Sequence, residues 1–322
     1  MWSVSPWHGR TVLITGGTGS FGSAVIPDLL HRGVARVIVY SRDEGKRARL
    51  LARWAGVPVE HHLGDVRDAD RLRWSLRAGV DVVLHAAALK HVDACEQNPT
   101  EASDTNIGGS INVINESVLA GVSRVIALST DKACAPSTYY GATKAVMEGL
   151  VVRGNIRGRG RTALGCVRYG NVIGSSGSVV ETFRAKVQAG EPLPITDASM
   201  TRFWMPIQTA VAFVVTAAEQ LQGGEIFVPK LAASGLIDLV RVVGGPHYPV
   251  RVVGVRGSEK RHEALISVDE AVRTHDLGDR YAIYPDDPSW PLTRRGVPVP
   301  ADFSLTSQNA PPFHWTPEVV AA

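Results

Sequence analysis

Cysteine is scarce. Three residues in 322, Cys95, Cys134 and Cys166, are odd in number and far apart. This argues against a disulfide framework or a clustered thiolate metal site, and a reducing compartment is the simpler reading. Net charge is also small: 34 Lys and Arg against 31 Asp and Glu leave +3. That balance is too even to indicate a nucleic-acid or membrane-surface binder. No apolar run approaches the ~20 residues that cross a bilayer. Residues 209–215 are apolar but short, and they read as a buried helix. The first ten residues hold Trp2 and Trp7 but no apolar stretch behind basic residues, so no signal peptide is expected and the expected location is cytoplasmic. There is no internal repeat and no low-complexity tract. The chain is long enough for one large domain or two smaller ones, with ample apolar content for a core.

What is present begins with an apolar run, Thr11-Val12-Leu13-Ile14, ending in a turn that contains Gly16, Thr18, Gly19, Ser20, Phe21 and Gly22. A helical pattern follows to Gly33. Strand, glycine turn and helix together are the setting of a dinucleotide site: glycines let the backbone approach a pyrophosphate, and the helix start offers free N–H groups. The spacing here is GxxGxxG, and glycine turns also serve purely structural ends. A second strand, Val37–Tyr40, runs into Ser41 and Arg42, with Lys46 beyond. An Arg at that point accommodates a 2′-phosphate, which favours NADP over NAD; the alternative is that Arg42 and Lys46 only solvate a helix start. Asp65 and Val66 follow a third strand, residues 57–63. Asp65 can meet an adenine amino group or cap the next helix. A fourth strand ends at Ala86-Ala87-Ala88, small enough for a flat cofactor to lie against, followed by Lys90. A long helix is expected over residues 99–120; Asn106 within it is either an exposed position or a cofactor contact.

Strands alternating with helices through Lys144 predict an α/β fold, a Rossmann-like doubly wound parallel sheet. A dinucleotide domain is expected over residues 1–175. A smaller, interleaved substrate lobe is expected over 176–322, with a partial return to the first domain. The proline- and aromatic-rich tail from Tyr284 is expected to wrap the surface. In such sheets ligands sit at the carboxyl ends of the strands. There the apolar run Val125–Leu128 leads into Ser129-Thr130-Asp131-Lys132, and a helix expected from Ser137 carries Tyr140 and Lys144. Four residues apart, the last two share a helix face. An ammonium beside a phenol favours the phenolate, suited to taking a hydroxyl proton. Asp131 and Lys132 add a second acid/base pair.

These segments, together with residues 40–44, 85–90, 168–172, 193–197, 200–204 and 225–230, resemble the extended short-chain dehydrogenase/reductases, and within them the soluble, inverting UDP-N-acetylglucosamine 4,6-dehydratases. The resemblance covers about residues 10–285. It implies a tightly held NADP, oxidation at the sugar C4 with Tyr140 and Lys144 taking the hydroxyl proton, and Thr130 on the C4 oxygen. It implies Lys132 as the base at C5 and Asp131 as the acid at the 6-hydroxyl, then return of hydride to C6 with inversion at C5. It further implies that Lys90, Asn171, Val179, Thr196, Arg202, Arg256 and Glu259 face a UDP-sugar, and that the chain forms a homo-oligomer. Arg202 could instead be a surface ion pair and Glu259 a solvated carboxylate. The sequence departs from the family at Asp93, where proline is common, at Ala135, where asparagine is common, and in Arg256-Gly257-Ser258, which lacks the usual proline. A UDP-sugar 4-epimerase would share the fold and the tyrosine but has no need of Asp131 and Lys132. The loss of Tyr140 or Lys144 would favour an NADP-sensing or interaction protein on a redox-dead fold, and both are present.

Overall fold

The computed structural model describes residues 5–254, 258–286, 288–316 and 319–320. Six parallel strands carry the first half of the chain: β1 (Thr11–Thr15), β2 (Arg36–Ser41), β3 (Val59–Leu63), β4 (Val82–His85), β5 (Arg124–Thr130) and β6 (Ala163–Tyr169). Their spatial order is 3-2-1-4-5-6, the doubly wound arrangement, with the switch between β1 and β4. Strands buried on both faces must be apolar throughout, and β1 and the interior of β2 are buried along their length. The register places Thr15 level with both Tyr40 and His85, so β1, β2 and β4 end together.

Beyond β6 the sheet continues with Ile226–Pro229, parallel to it, and then antiparallel through Arg280–Ile283, Thr274–Asp276 and Val297–Pro298. The helix Ile207–Gln220 packs into the same core through Ala210, Val211, Val214 and Val215. A separate core of Ile173, Val180, Phe183, Leu193, Ile195, Trp204 and Leu239 defines the smaller lobe. Short sheets frame it: Asn171–Ile173, Thr201–Pro206 and Ala233–Gly235, and Leu193–Ile195 with Val250–Val252.

Two sequence expectations change. The tail does not simply wrap the surface. Tyr284 and Trp290 are buried, Val297–Pro298 adds a strand to the main sheet, and Leu305–Thr306 pairs with Ala264–Ile266. Further on, Trp315 stacks edge-on against Trp204 and donates to Ser234 Oγ. Aromatic side chains bury area wherever a partner surface exists, which no local period reveals. The helix expected over 99–120 is broken into Pro99–Ser103 and Gly109–Ala120 by a π turn, Asp104–Gly108, with Asn106 at its middle. Such turns occur where a side chain must be re-aimed, and Asn106 is buried rather than exposed.

Candidate active site

The glycine turn is required by its geometry. Gly16 has φ +66°, and a Cβ there would lie 2.8 Å from the Ala87 backbone; a Cβ on Gly22 would lie 2.4 Å from Gly17 Cα. The helix Ser20–His31 starts at Gly19 with no side-chain cap and no acidic residue in its first turn, leaving its N–H groups and dipole free for an anion. Phe21 is buried beneath. Ser20 Oγ accepts from the Ser176 amide at 2.9 Å, and Lys90 donates to the Ser176 carbonyl at 2.8 Å. The glycine/serine loop after β6 is thereby latched to the glycine turn.

At the end of β2, Ser41 is buried and bonded to His61. Arg42 is exposed, 3.4 Å from Asp65 and 3.6 Å from Glu101; Lys46 pairs with Asp43. Arg67, not foreseen from the sequence, bonds both Asp65 and Glu101. Asp65 does not cap the next helix, because Asp68 takes that position. Val66 packs on Gly109. Ala86 and Ala87 hang from Thr15 at the end of β1, with Ala88 following. Asn106 accepts from the Leu89 amide and donates to the Leu89 carbonyl and Thr143 Oγ1, so it pins the loop below Ala88 to the tyrosine helix. His85 bridges Thr15 and Ser110. Burial, and then the nearby Lys144, lower its pKa to about 3, so it stays neutral.

The chemistry-bearing residues meet at the ends of β5 and β6. Thr130 caps the turn Asp131–Ala133, and Thr138 caps the helix Tyr139–Gly158 through the Gly141 amide. That helix presents Tyr140 and Lys144 inward, both buried. Burial pushes the Tyr140 phenol up to about 12, with Lys132 acting downward and Asp131 upward. Lys132 is thus a cation close to Tyr140; Lys144, one turn along the helix, donates to Met147 Sδ at 3.0 Å, and burial lowers it to about 8. Thr130 lies beside the phenol and donates to Asp131 Oδ1 at 2.9 Å. Lys132 Nζ is 3.1 Å from Asp131 Oδ1 and 3.2 Å from Glu263 Oε1. Burial alone would lower the ammonium, but Asp131 and Glu263 more than offset it and it ends above an ordinary lysine, with Arg202 opposing. Asp131 Oδ2 is buried without a partner. Glu263 had no local signal in the sequence; only the fold brings it to Lys132.

In the smaller lobe Arg202 is buried, donating to Glu259 Oε1 at 2.9 Å and to the Thr201 and Arg261 carbonyls. The two residues form an ion pair through Oε1, while Glu259 Oε2 is buried without a hydrogen-bond partner. Thr196 donates to Met200 Sδ, Asn171 opens the short strand opposite Trp204, and Val179 starts the helix Val179–Gln188. Arg256 lies outside the described residues.

A family model described as polysaccharide biosynthesis protein matches residues 12–285. A UDP-N-acetylglucosamine 4,6-dehydratase (inverting) from Campylobacter jejuni is 42% identical over 94% of this chain and 93% of its own length. A UDP-glucose 4-epimerase from Rickettsia canadensis is 38% identical over 85% and 82%. Among solved structures, a dTDP-glucose 4,6-dehydratase from Streptomyces venezuelae with NAD bound superposes with TM-score 0.71 at 25% identity, covering 78% of this chain and 86% of the other.

Proposed function

Because the chain belongs to the polysaccharide biosynthesis protein family, we propose that it is an NADP-dependent nucleotide-sugar 4,6-dehydratase acting on UDP-N-acetylglucosamine with inversion at C5. The observation that carries this reading is the Thr130-Asp131-Lys132 cluster beside Tyr140, with Asp131 fully buried. Oxidation at C4 needs one base. Removing water across C5 and C6 needs a second base and an acid, and this site holds both. The uncapped helix start and the close-packed glycines fit a dinucleotide pyrophosphate, and the exposed Arg42 with Lys46 suits a 2′-phosphate. When bound, the dinucleotide supplies the hydride acceptor and donor.

Tyr140 takes the proton of the C4 hydroxyl, and Thr130 holds the C4 oxygen. Lys144, buried and close to half-neutral near pH 8, sets the charge beneath the tyrosine. The resulting ketone acidifies the C5 hydrogen, which Lys132 removes while Asp131 gives a proton to the departing 6-hydroxyl. Lys90, Asn171, Val179 and Thr196 line the sugar nucleotide. Arg202, whose planar guanidinium matches two phosphate oxygens, meets the diphosphate with Glu259 as its resting partner.

The identity to a 4-epimerase supports a second reading, a UDP-sugar 4-epimerase using Tyr140 alone. Mass spectrometry of the product from UDP-N-acetylglucosamine in deuterated water separates the two. The expected product is lighter by one water and carries solvent deuterium at C5. A product of unchanged mass and inverted C4 would establish the epimerase instead.

A further inference from the structure

The mechanism above sets Lys132 a contradictory demand. It must be an amine when it meets C5, yet it rests between two carboxylates, 3.1 Å from Asp131 and 3.2 Å from Glu263. Those acids have side-chain exposures of 1% and 3%. Glu263 is fixed from behind: its amide donates to Ser307 Oγ and its carbonyl accepts from the Ser307 amide. Its second oxygen, Oε2, is buried without a hydrogen-bond partner, the Lys260 ammonium standing 3.8 Å off and donating to the Cys134 carbonyl. A buried carboxylate left short of partners is costly as structure, and neither the redox step nor nucleotide binding uses it.

We propose that Glu263 is a positioning residue for the elimination: it holds Lys132 Nζ against Asp131 and fixes one shared proton on that couple. The inference rests on the dehydratase reading. Within the couple a proton passes from Nζ to Asp131 Oδ1, giving an amine and a carboxylic acid. The amine takes the C5 proton. The C5–H electron pair becomes the C5–C6 double bond as the C6–O bond breaks. The carboxyl proton goes to the departing oxygen, which leaves as water. Ammonium and carboxylate are then restored, with no net proton gained or lost, and Glu263 takes no part in the transfer. The groups facing Lys132 are Asp131, Glu263, Tyr140 and Arg202, with Lys260 behind Glu263. Removing the Glu263 charge leaves Asp131 alone against Arg202, so the couple loses its proton at lower pH.

The test uses purified holoenzyme with UDP-N-acetylglucosamine, as wild type, Glu263→Gln and Glu263→Asp. It reads kcat against pH, the single-turnover rate of nicotinamide reduction, and deuterium entry at C5. Glu263→Gln is expected to lower kcat about 100-fold and to move the alkaline limb down by about one pH unit or more. Nicotinamide reduction should change by less than about twofold, because Tyr140 governs that step. Glu263→Asp keeps the charge but draws it back, so kcat falls while the alkaline limb stays at the wild-type value. An unmoved alkaline limb in Glu263→Gln overturns the proposal. So does an equal loss in reduction and elimination, which would mark Glu263 as scaffold. If wild type itself loses no water from the sugar, the dehydratase reading fails first and takes this inference with it.

Discussion

Arg168 and Lys132 each lie between two carboxylates, and they are satisfied to different degrees. Arg168 on β6 makes five bonds with its three nitrogens: two to Glu148 on the tyrosine helix, two to Glu270, and one to the Leu265 carbonyl. Its side chain is 2% exposed. Every donor of the guanidinium fork is matched, and nothing is left over for a ligand. Lys132, one strand away, is 22% exposed, and beside it Asp131 Oδ2 and Glu263 Oε2 have no hydrogen-bond partner. The saturated cluster ties β6, the tyrosine helix and the segment around Glu270 into one body. The unsaturated one keeps bonding capacity in reserve beside Tyr140. An incomplete buried network is costly to keep, and such networks concentrate at functional sites.

Three substitutions test this contrast. The largest effect is on activity: Lys132→Ala should abolish water loss, a fall in kcat of about 1000-fold or more, while the dinucleotide still binds and nicotinamide is still reduced. Normal turnover in that variant would remove Lys132 from the chemistry. Arg168→Met should act in the opposite sense, costing about 3–5 kcal/mol of stability because Glu148 and Glu270 are left buried without their cation. Denaturant unfolding measures it, and adding Glu148→Leu and Glu270→Leu should recover most of the loss. A cost below about 1 kcal/mol would mean the cluster is no better matched than an exposed pair. The smallest effect concerns the turn joining the two clusters, where Cys134 Sγ reaches Glu270 and the Cys134 carbonyl receives Lys260. The next residue, Ala135, is exposed and has φ +43°, a region asparagine tolerates better than alanine. Ala135→Asn should therefore stabilise by about 0.5–1 kcal/mol, read by the same unfolding experiment, with kcat unchanged. Destabilisation would show that the turn is held by packing rather than strained by its backbone.

Much of the site could be read from local sequence, because its warrants are local. The glycine turn after β1, the Ser129–Lys132 run ending β5, and the four-residue spacing of Tyr140 and Lys144 each need only a strand, a turn or a helix face to be meaningful. Where the local sequence left alternatives open, the folded chain chose between them. Spacing placed Lys144 one helical turn from the tyrosine, and the structure adds Lys132 as a second cation near the phenol. Asp65 lost its capping alternative to Asp68 three residues on. Asn106 left the exposed face because a π turn rotates it inward to Leu89 and Thr143.

The sequence by itself determined the alternation of apolar strands and helices, and with it the parallel sheet and the strand ends where ligands gather. Burying such strands on both faces admits few other arrangements. Only the tertiary structure decided that Glu263, held by Ser307 in the tail, would face Lys132, and that Ser176 would latch the loop after β6 to the glycine turn. The Glu263–Ser307 bond spans 44 positions and the Ser20–Ser176 bond 156, too far for any local pattern to show. Their free energy depends on desolvation and geometry, which exist only once the chain has closed around them.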